Sequence, residues 1–277
     1  MRRTRLGGSR VITQRIIFVV IALAFVGSGY LIGRYFLASL LQRTNDGEPV
    51  TGDPTTPGTT ATLQVQTKPV SLYRVQVGAF STKENADKVA AAVQGKGVGA
   101  AVAIPDPLYK VYCGAAASKE AGEKLAAAAK SKLAGSVIGK NESLYVASAT
   151  IASRSFTLSG DKALAEKLQS AFSKADNAVQ SLLSFWDALY LGKQNTVDLS
   201  TMETDLAAAK DDLSKITPSG SLTAAHSSAV EIMSDLTLAV QKAKAAAGGD
   251  TSEAAEGASA FVAALDTYVQ ETKKLSP

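Results

Sequence analysis

Five side chains with complementary chemistry fall on two similar strings. Leu72-Tyr73-Arg74-Val75-Gln76-Val77-Gly78-Ala79-Phe80 is echoed, at one constant offset, by Leu108-Tyr109-Lys110-Val111-Tyr112-Cys113-Gly114-Ala115-Ala116. Side chains of a β-strand alternate between two faces. The pattern therefore predicts Val75, Val77, Val111 and Cys113 on one side, with Arg74, Gln76, Phe80, Lys110 and Tyr112 on the other. The second set holds a cation in each copy, and the arginine can meet a carboxylate bidentately. It also holds an amide that donates and accepts, and a tyrosine that can lay its ring on an apolar surface while its hydroxyl stays in water. Side chains of these types can equally serve only to solvate an open sheet.

The repeat extends into the elements that must position these groups. Lys83/Lys119, Glu84/Glu120, Lys88/Lys124, the alanines 90–92 against 126–128, Lys96/Lys132 and Gly99/Gly135 keep the same offset. Ser81 and Glu84 have capping-box spacing, and Ala86, Val89, Ala90 and Val93 make one helical stripe. Gly95, Gly97 and Gly99 end it. The second helix starts at Ser118 and repeats the stripe with Gly122, Leu125, Ala126 and Ala129. With a second strand over residues 100–104 and a fourth beginning at 136–138, the order βαββαβ predicts an antiparallel four-stranded sheet with two helices on one face. The opposite face is expected to be bare.

One cysteine, Cys113, and one histidine, His226, exclude a disulfide framework and a His/Cys metal site, and no cofactor is expected. The net charge of +4 owes much to Arg2, Arg3, Arg5, Arg10 and Arg15, so the remainder of the chain has no nucleic-acid footprint. Residues 16–33 are uncharged and apolar, and at 1.5 Å per residue they span about 27 Å, close to a bilayer core. The reading is a basic cytoplasmic tail (1–15) and a single-pass transmembrane helix (16–41), favoured over a cleaved signal peptide because the apolar run is long. The rest of the chain would then be extracytoplasmic. Gly29 and Gly33 could let two such helices pack. Residues 42–69, rich in Thr, Gly, Pro and Asp, read as a flexible linker.

Residues 70–142 read as the repeat domain and 143–277 as an all-α antiparallel helical bundle. Leu144 to Leu158 is mixed and fits either a sheet extension or a lead into helix. Beyond Gly160 there are four apolar stripes. They run through Leu164–Leu189, Leu199–Ile216, Leu222–Ala243 and Phe261–Leu275. Ser200/Glu203 is a capping box, residues 217–220 form a break, and Gly248-Gly249 ends the third helix. Each helix has a single apolar face and must pack on the others. Phe185, Trp186 and Tyr190 fit the core better than a contact site, and Asp205, Asp211 and Asp212 are not paired as an acid and a base.

The string Tyr73-Arg74-Val75-Gln76-Val77-Gly78-Ala79-Phe80, followed by Ser81-x-Lys83-Glu84-Asn85-Ala86, resembles the opening of a SPOR (sporulation-related repeat) domain. Tyr109-Lys110-Val111-x-x-Gly114 resembles its second half. The resemblance implies a βαββαβ fold that binds peptidoglycan on its sheet face. The preferred ligand would be glycan strands stripped of peptide stems, which accumulate at division and sporulation septa. Gln76 matches the family's strand-one glutamine and Phe80 its closing aromatic. Gly114-Ala115-Ala116 departs from the family's Gly-x-Phe. The implied function is that of a membrane-anchored, non-catalytic glycan binder whose bundle meets envelope or divisome proteins. The alternative is a protein–protein adaptor of the envelope without glycan affinity. A zinc amidase is excluded by the single histidine, and a transglycosylase lacks an aromatic-lined acidic cleft.

Overall fold

A computed structural model describes residues 60–104, 107–135 and 144–276. The described strands are β1 (Thr60–Gln66), β2 (Val70–Phe80), β3 (Ala101–Ala103), β4 (Tyr109–Ala116), β5 (Tyr145–Ile151) and β6 (Ser155–Asp161). The described helices are α1 (Lys83–Gln94), α2 (Lys119–Leu133), α3 (Lys162–Leu191), α4 (Leu199–Ser214), α5 (Leu222–Ala246) and α6 (Thr251–Leu275). The protein is a mixed α+β chain. Four strands pair antiparallel in the order β3-β4-β2-β5, and β1 and β6 form a separate two-stranded ribbon.

The inner face of the sheet is sealed as the alternation requires. Val75, Val77, Val111 and Cys113 meet Ala86, Ala90 and Val93 of α1 and Ala129 and Leu133 of α2 in one buried cluster. Small residues on both helices let them lie close to the sheet. Ser118 caps α2, its hydroxyl accepting from the Ala121 N–H at 3.2 Å. The other two expected caps move: Thr82, not Ser81, caps α1, and Asp198 caps α4 in place of the Ser200/Glu203 pair. In both cases a neighbouring oxygen reaches the free N–H groups of the first turn.

One strand lies where none was expected, and an open reading is decided. β1 falls in the stretch read as linker, where Leu63 and Val65 alternate inward and Val65 is buried. The abundance of Thr, Gly and Pro around it masked a two-residue period. The fourth strand of the sheet is β5, which decides the ambiguous Leu144 to Leu158 segment in favour of sheet. The strand expected at 136–138 lies outside the described residues.

The four apolar stripes form helices that share one core with Trp186, Tyr268, Phe172, Phe185 and Phe261 fully buried. Trp186 is packed by Tyr190 (stacked, 5.6 Å) and Phe185 (edge-on, 5.1 Å). A Cβ at Gly257 would lie 2.8 Å from the Trp186 ring, so only glycine lets α6 approach this indole. Asp176 is buried within the core, accepting from the Tyr268 hydroxyl and, at 2.9 Å, from the Lys68 N–H.

The localisation read from the sequence is corrected. Among the described residues no helix is long and apolar enough to cross a membrane. The long described helices keep a charged face, as with Lys162, Glu166 and Lys167 on α3. The span expected over 16–41 lies outside the described residues.

Candidate functional site

The outer face of the four-stranded sheet is not bare. It can be followed row by row from the strand registers. At one end Val70 and Ile151 face each other, then Leu72 and Ala149, then Ala147, Arg74 and Ala115 across three strands. The next row is Tyr145, Gln76, Tyr112 and Ala101, and the last is Ala79, Lys110 and Ala103. The face therefore grades from apolar to polar along its length.

The apolar end is covered by the bundle. Val70, Leu72, Ala115 and Ile151 belong to the same buried cluster as the helical core. The middle is covered by α6. Helical spacing puts Ser259, Val262 and Asp266 on the side of α6 that meets the sheet, while Phe261, Leu265 and Tyr268 enter the bundle. Val262 packs on Tyr112 and Ala103. Asp266 Oδ1 accepts from Arg74 Nη1 at 2.9 Å, both side chains about one-eighth exposed (13% and 12%). The Arg74 guanidinium carbon sits 5.1 Å from the centre of the Tyr112 ring, a cation–π geometry. Burial pushes the Asp266 carboxyl above the usual carboxylate range, against the pull of Arg74. Burial likewise raises the Tyr112 hydroxyl.

The polar end stays partly open. Gln76 and Lys110 are half-buried, and Tyr145, opposite Gln76 on β5, is 64% exposed. Ile104 and Leu108 flank the β3–β4 turn at this end and are also exposed. An amide, an ammonium and an accessible aromatic ring thus share one end of one face. Tyr145 was missed at the level of sequence because its strand was not assigned. Once β5 is paired with β2, its register with Gln76 follows.

Of the five residues singled out above, four lie on the outer face: Arg74 and Tyr112 beneath α6, Gln76 and Lys110 towards the open end. Phe80 does not. Between Val75 and Gly78 the pairing with β4 shifts twice, so Phe80 comes opposite Tyr109 and packs with it on the helix side. A β-bulge reverses the facing of every side chain beyond it, which simple alternation does not anticipate. Among the described residues no group of His, Cys, Asp and Glu is placed to hold a metal ion. His226 is tied to the Leu213 carbonyl at 2.8 Å, a packing role in the bundle.

Residues 69–139 match the family model described as SPOR domain. Among solved structures, the chain is similar to the peptidoglycan binding domain of the B. subtilis cell wall lytic enzyme CwlC. That likeness has 38% identity, covers 28% of this chain and 90% of that chain, and has a TM-score of 0.24. No curated protein matches the sequence.

Proposed function

We propose that this chain is a non-catalytic peptidoglycan binder of the cell envelope that recognises glycan strands through the outer face of its SPOR domain. The observation that carries the reading is the SPOR match over 69–139, which includes Gln76 and Lys110 at the accessible end of the sheet. A stripped glycan strand presents hydroxyl and N-acetyl groups, flat apolar ring faces and free lactyl carboxylates. Gln76 supplies paired donor and acceptor groups, Tyr145 a ring for stacking, and Lys110 a cation for a carboxylate. Arg74 and Tyr112 offer the same chemistry further along the face. The SPOR domain supports an envelope location, and a preference for glycan strands stripped of peptides would draw the chain to division or sporulation septa.

An adaptor reading, in which the domain and bundle meet proteins rather than glycan, is favoured by one observation: the bundle covers most of the face. The discriminating experiment is retention of the full chain on purified sacculi before and after amidase treatment. Glycan recognition requires that removing the peptide stems increases retention and that Gln76→Lys abolishes the increase. Equal and negligible retention in both preparations favours the adaptor.

A further inference from the structure

The seam between the SPOR sheet and α6 differs from the apolar end of the same face, which the bundle core covers. Small and polar residues line most of it, Gly99, Ala101, Ala103, Ala258, Ser259 and the Arg74–Asp266 pair, around one apolar contact of Val262 on the Tyr112 ring. Its specific bonds are polar, with Ser259 Oγ accepting from the Ala100 N–H at 2.8 Å beside the Arg74–Asp266 pair. Open clefts of about 380 and 520 Å³ lie along it, and a third of about 340 Å³ lies where α2 and residues 97–99 meet the end of α3 and the start of α6. Walls of an open cleft forgo dispersion contacts with each other, and relative motion within a chain is expected where the interface is not large and hydrophobic.

The chain is also built to let this seam move. It passes between the SPOR sheet and the rest of the molecule at two places, Thr67 to Pro69 and Ala152 to Arg154. These are stitched together: the Thr67 N–H donates to the Arg154 carbonyl and the Arg154 N–H to Thr67 Oγ1, both at 2.9 Å, while the Ser153 hydroxyl donates to the Thr67 carbonyl at 2.6 Å. The two crossings therefore form one locus. It lies at the apolar end of the face, beside Val70 and Ile151, whereas the ion pair and the clefts lie away from it. That is the layout of a hinge with its closing surface at the far side.

We propose that α6 is a built-in cover of the glycan site, with Asp266 occupying on Arg74 the place that a glycan carboxylate takes when the seam opens. This rests on the glycan-binding reading above. In the closed form a strand meets only the open end with Gln76, Lys110 and Tyr145. Opening about the Thr67/Arg154 locus adds Tyr112 from the row of Gln76 and Arg74 from the row beside it. The strand shifts the equilibrium because its carboxylate competes with Asp266 for Arg74 and binds only the open form more tightly. Apparent affinity is then reduced by the fraction of molecules that are open.

The chain carries its own reporter. Cys113, the sole cysteine, is fully buried on the inner face of the sheet, at the 340 Å³ cleft that Tyr190 of α3 and Ala254 and Ala258 of α6 close, so it becomes accessible when the bundle draws away from the SPOR part. Its reaction with a thiol reagent reads the opening of the seam. The test uses the full chain in three forms: wild type, Asp266→Ala, and Gly99→Val, whose Cβ would lie 2.6 Å from the Ala255 carbonyl oxygen and wedge the seam. For each, binding to soluble peptide-free glycan strands, Cys113 labelling rate and cooperative thermal unfolding are measured. We expect both variants that unfold cooperatively to bind about fivefold or more tighter than wild type and to label faster. If wild type binds and the folded variants bind no tighter and label no faster, the cover is overturned while glycan binding stands. If no form binds, the glycan reading fails, and the labelling rates alone decide. Faster labelling of folded Asp266→Ala keeps the moving seam, and unchanged labelling removes it.

Discussion

The two ends of the sheet's outer face are built from the same strands yet meet different fates. At the Val70 end every outward side chain is aliphatic, and the helical core buries Val70, Leu72 and Ile151 and packs on Ala149. At the Tyr145 end the outward side chains are an amide, an amine and an exposed aromatic, and the cover stops short. Between them sit Arg74 and Tyr112, polar groups that are covered nonetheless and need Asp266 to be tolerated there. Burying the aliphatic end contributes stability in proportion to apolar area. Burying the polar middle requires a partner for each charge. One face thus serves as core at one end and, in the proposed function, as recognition surface at the other.

Mutations can sharpen this contrast. Breaking the middle costs most: Arg74→Ala leaves Asp266 buried without its cation and should destabilise the chain by about 3–5 kcal/mol, whereas Arg74→Met with Asp266→Leu should come within about 1 kcal/mol of wild type, both read by chemical denaturation. At the aliphatic end Leu72→Ala removes a side chain that is 1% exposed and should cost about 2–4 kcal/mol, without selective loss of glycan retention in the molecules that remain folded. At the polar end Tyr145→Ala should change stability by no more than about 0.5 kcal/mol, yet lower retention on peptide-stripped sacculi severalfold. Equal stability losses for Leu72→Ala and Tyr145→Ala would erase the distinction between the two ends.

A smaller effect comes from acid. The carboxyls of Asp266 and Asp176 are raised by burial above their ordinary range. Each takes up its proton at higher pH in the folded chain than in the unfolded one. Stability linked to them therefore increases as pH falls through the folded range and diminishes as pH rises through it. Melting curves between pH 7 and about 4 should show wild type gaining on Asp266→Asn and Asp176→Asn as the pH is lowered. A wild type that loses ground to both variants would contradict the assignment.

Much of this contrast was legible in the residues. The internal repeat located β2, β4, α1 and α2, and the 3.6-residue stripes located α3 to α6, because both signals are local and periodic. The outer face held a clue as well. Leu72 shares parity with Arg74 and Gln76, and an aliphatic residue at the start of an outward row implies that something covers it. Three features escaped because they depend on pairing between distant segments. The bulge that turns Phe80 inward is a property of β2 and β4 together. The register that sets Tyr145 beside Gln76 exists only once β5 joins the sheet. The helix that covers Arg74 is marked in the sequence only by Asp266, one exposed-type residue among several on α6. Its apolar stripe points into the bundle and does not reveal that the opposite side is also occupied.

The proposed function requires that a glycan strand meet this molecule at the polar end of the sheet face. The most direct measurement is residue-resolved: amide chemical-shift changes of the full chain titrated with soluble peptide-free glycan strands. The account predicts the first and largest changes at Gln76, Lys110 and Tyr145, followed by Arg74, Tyr112 and the facing residues of α6. Changes confined to the bundle away from α6, or to the helix side around α1 and α2, would contradict it.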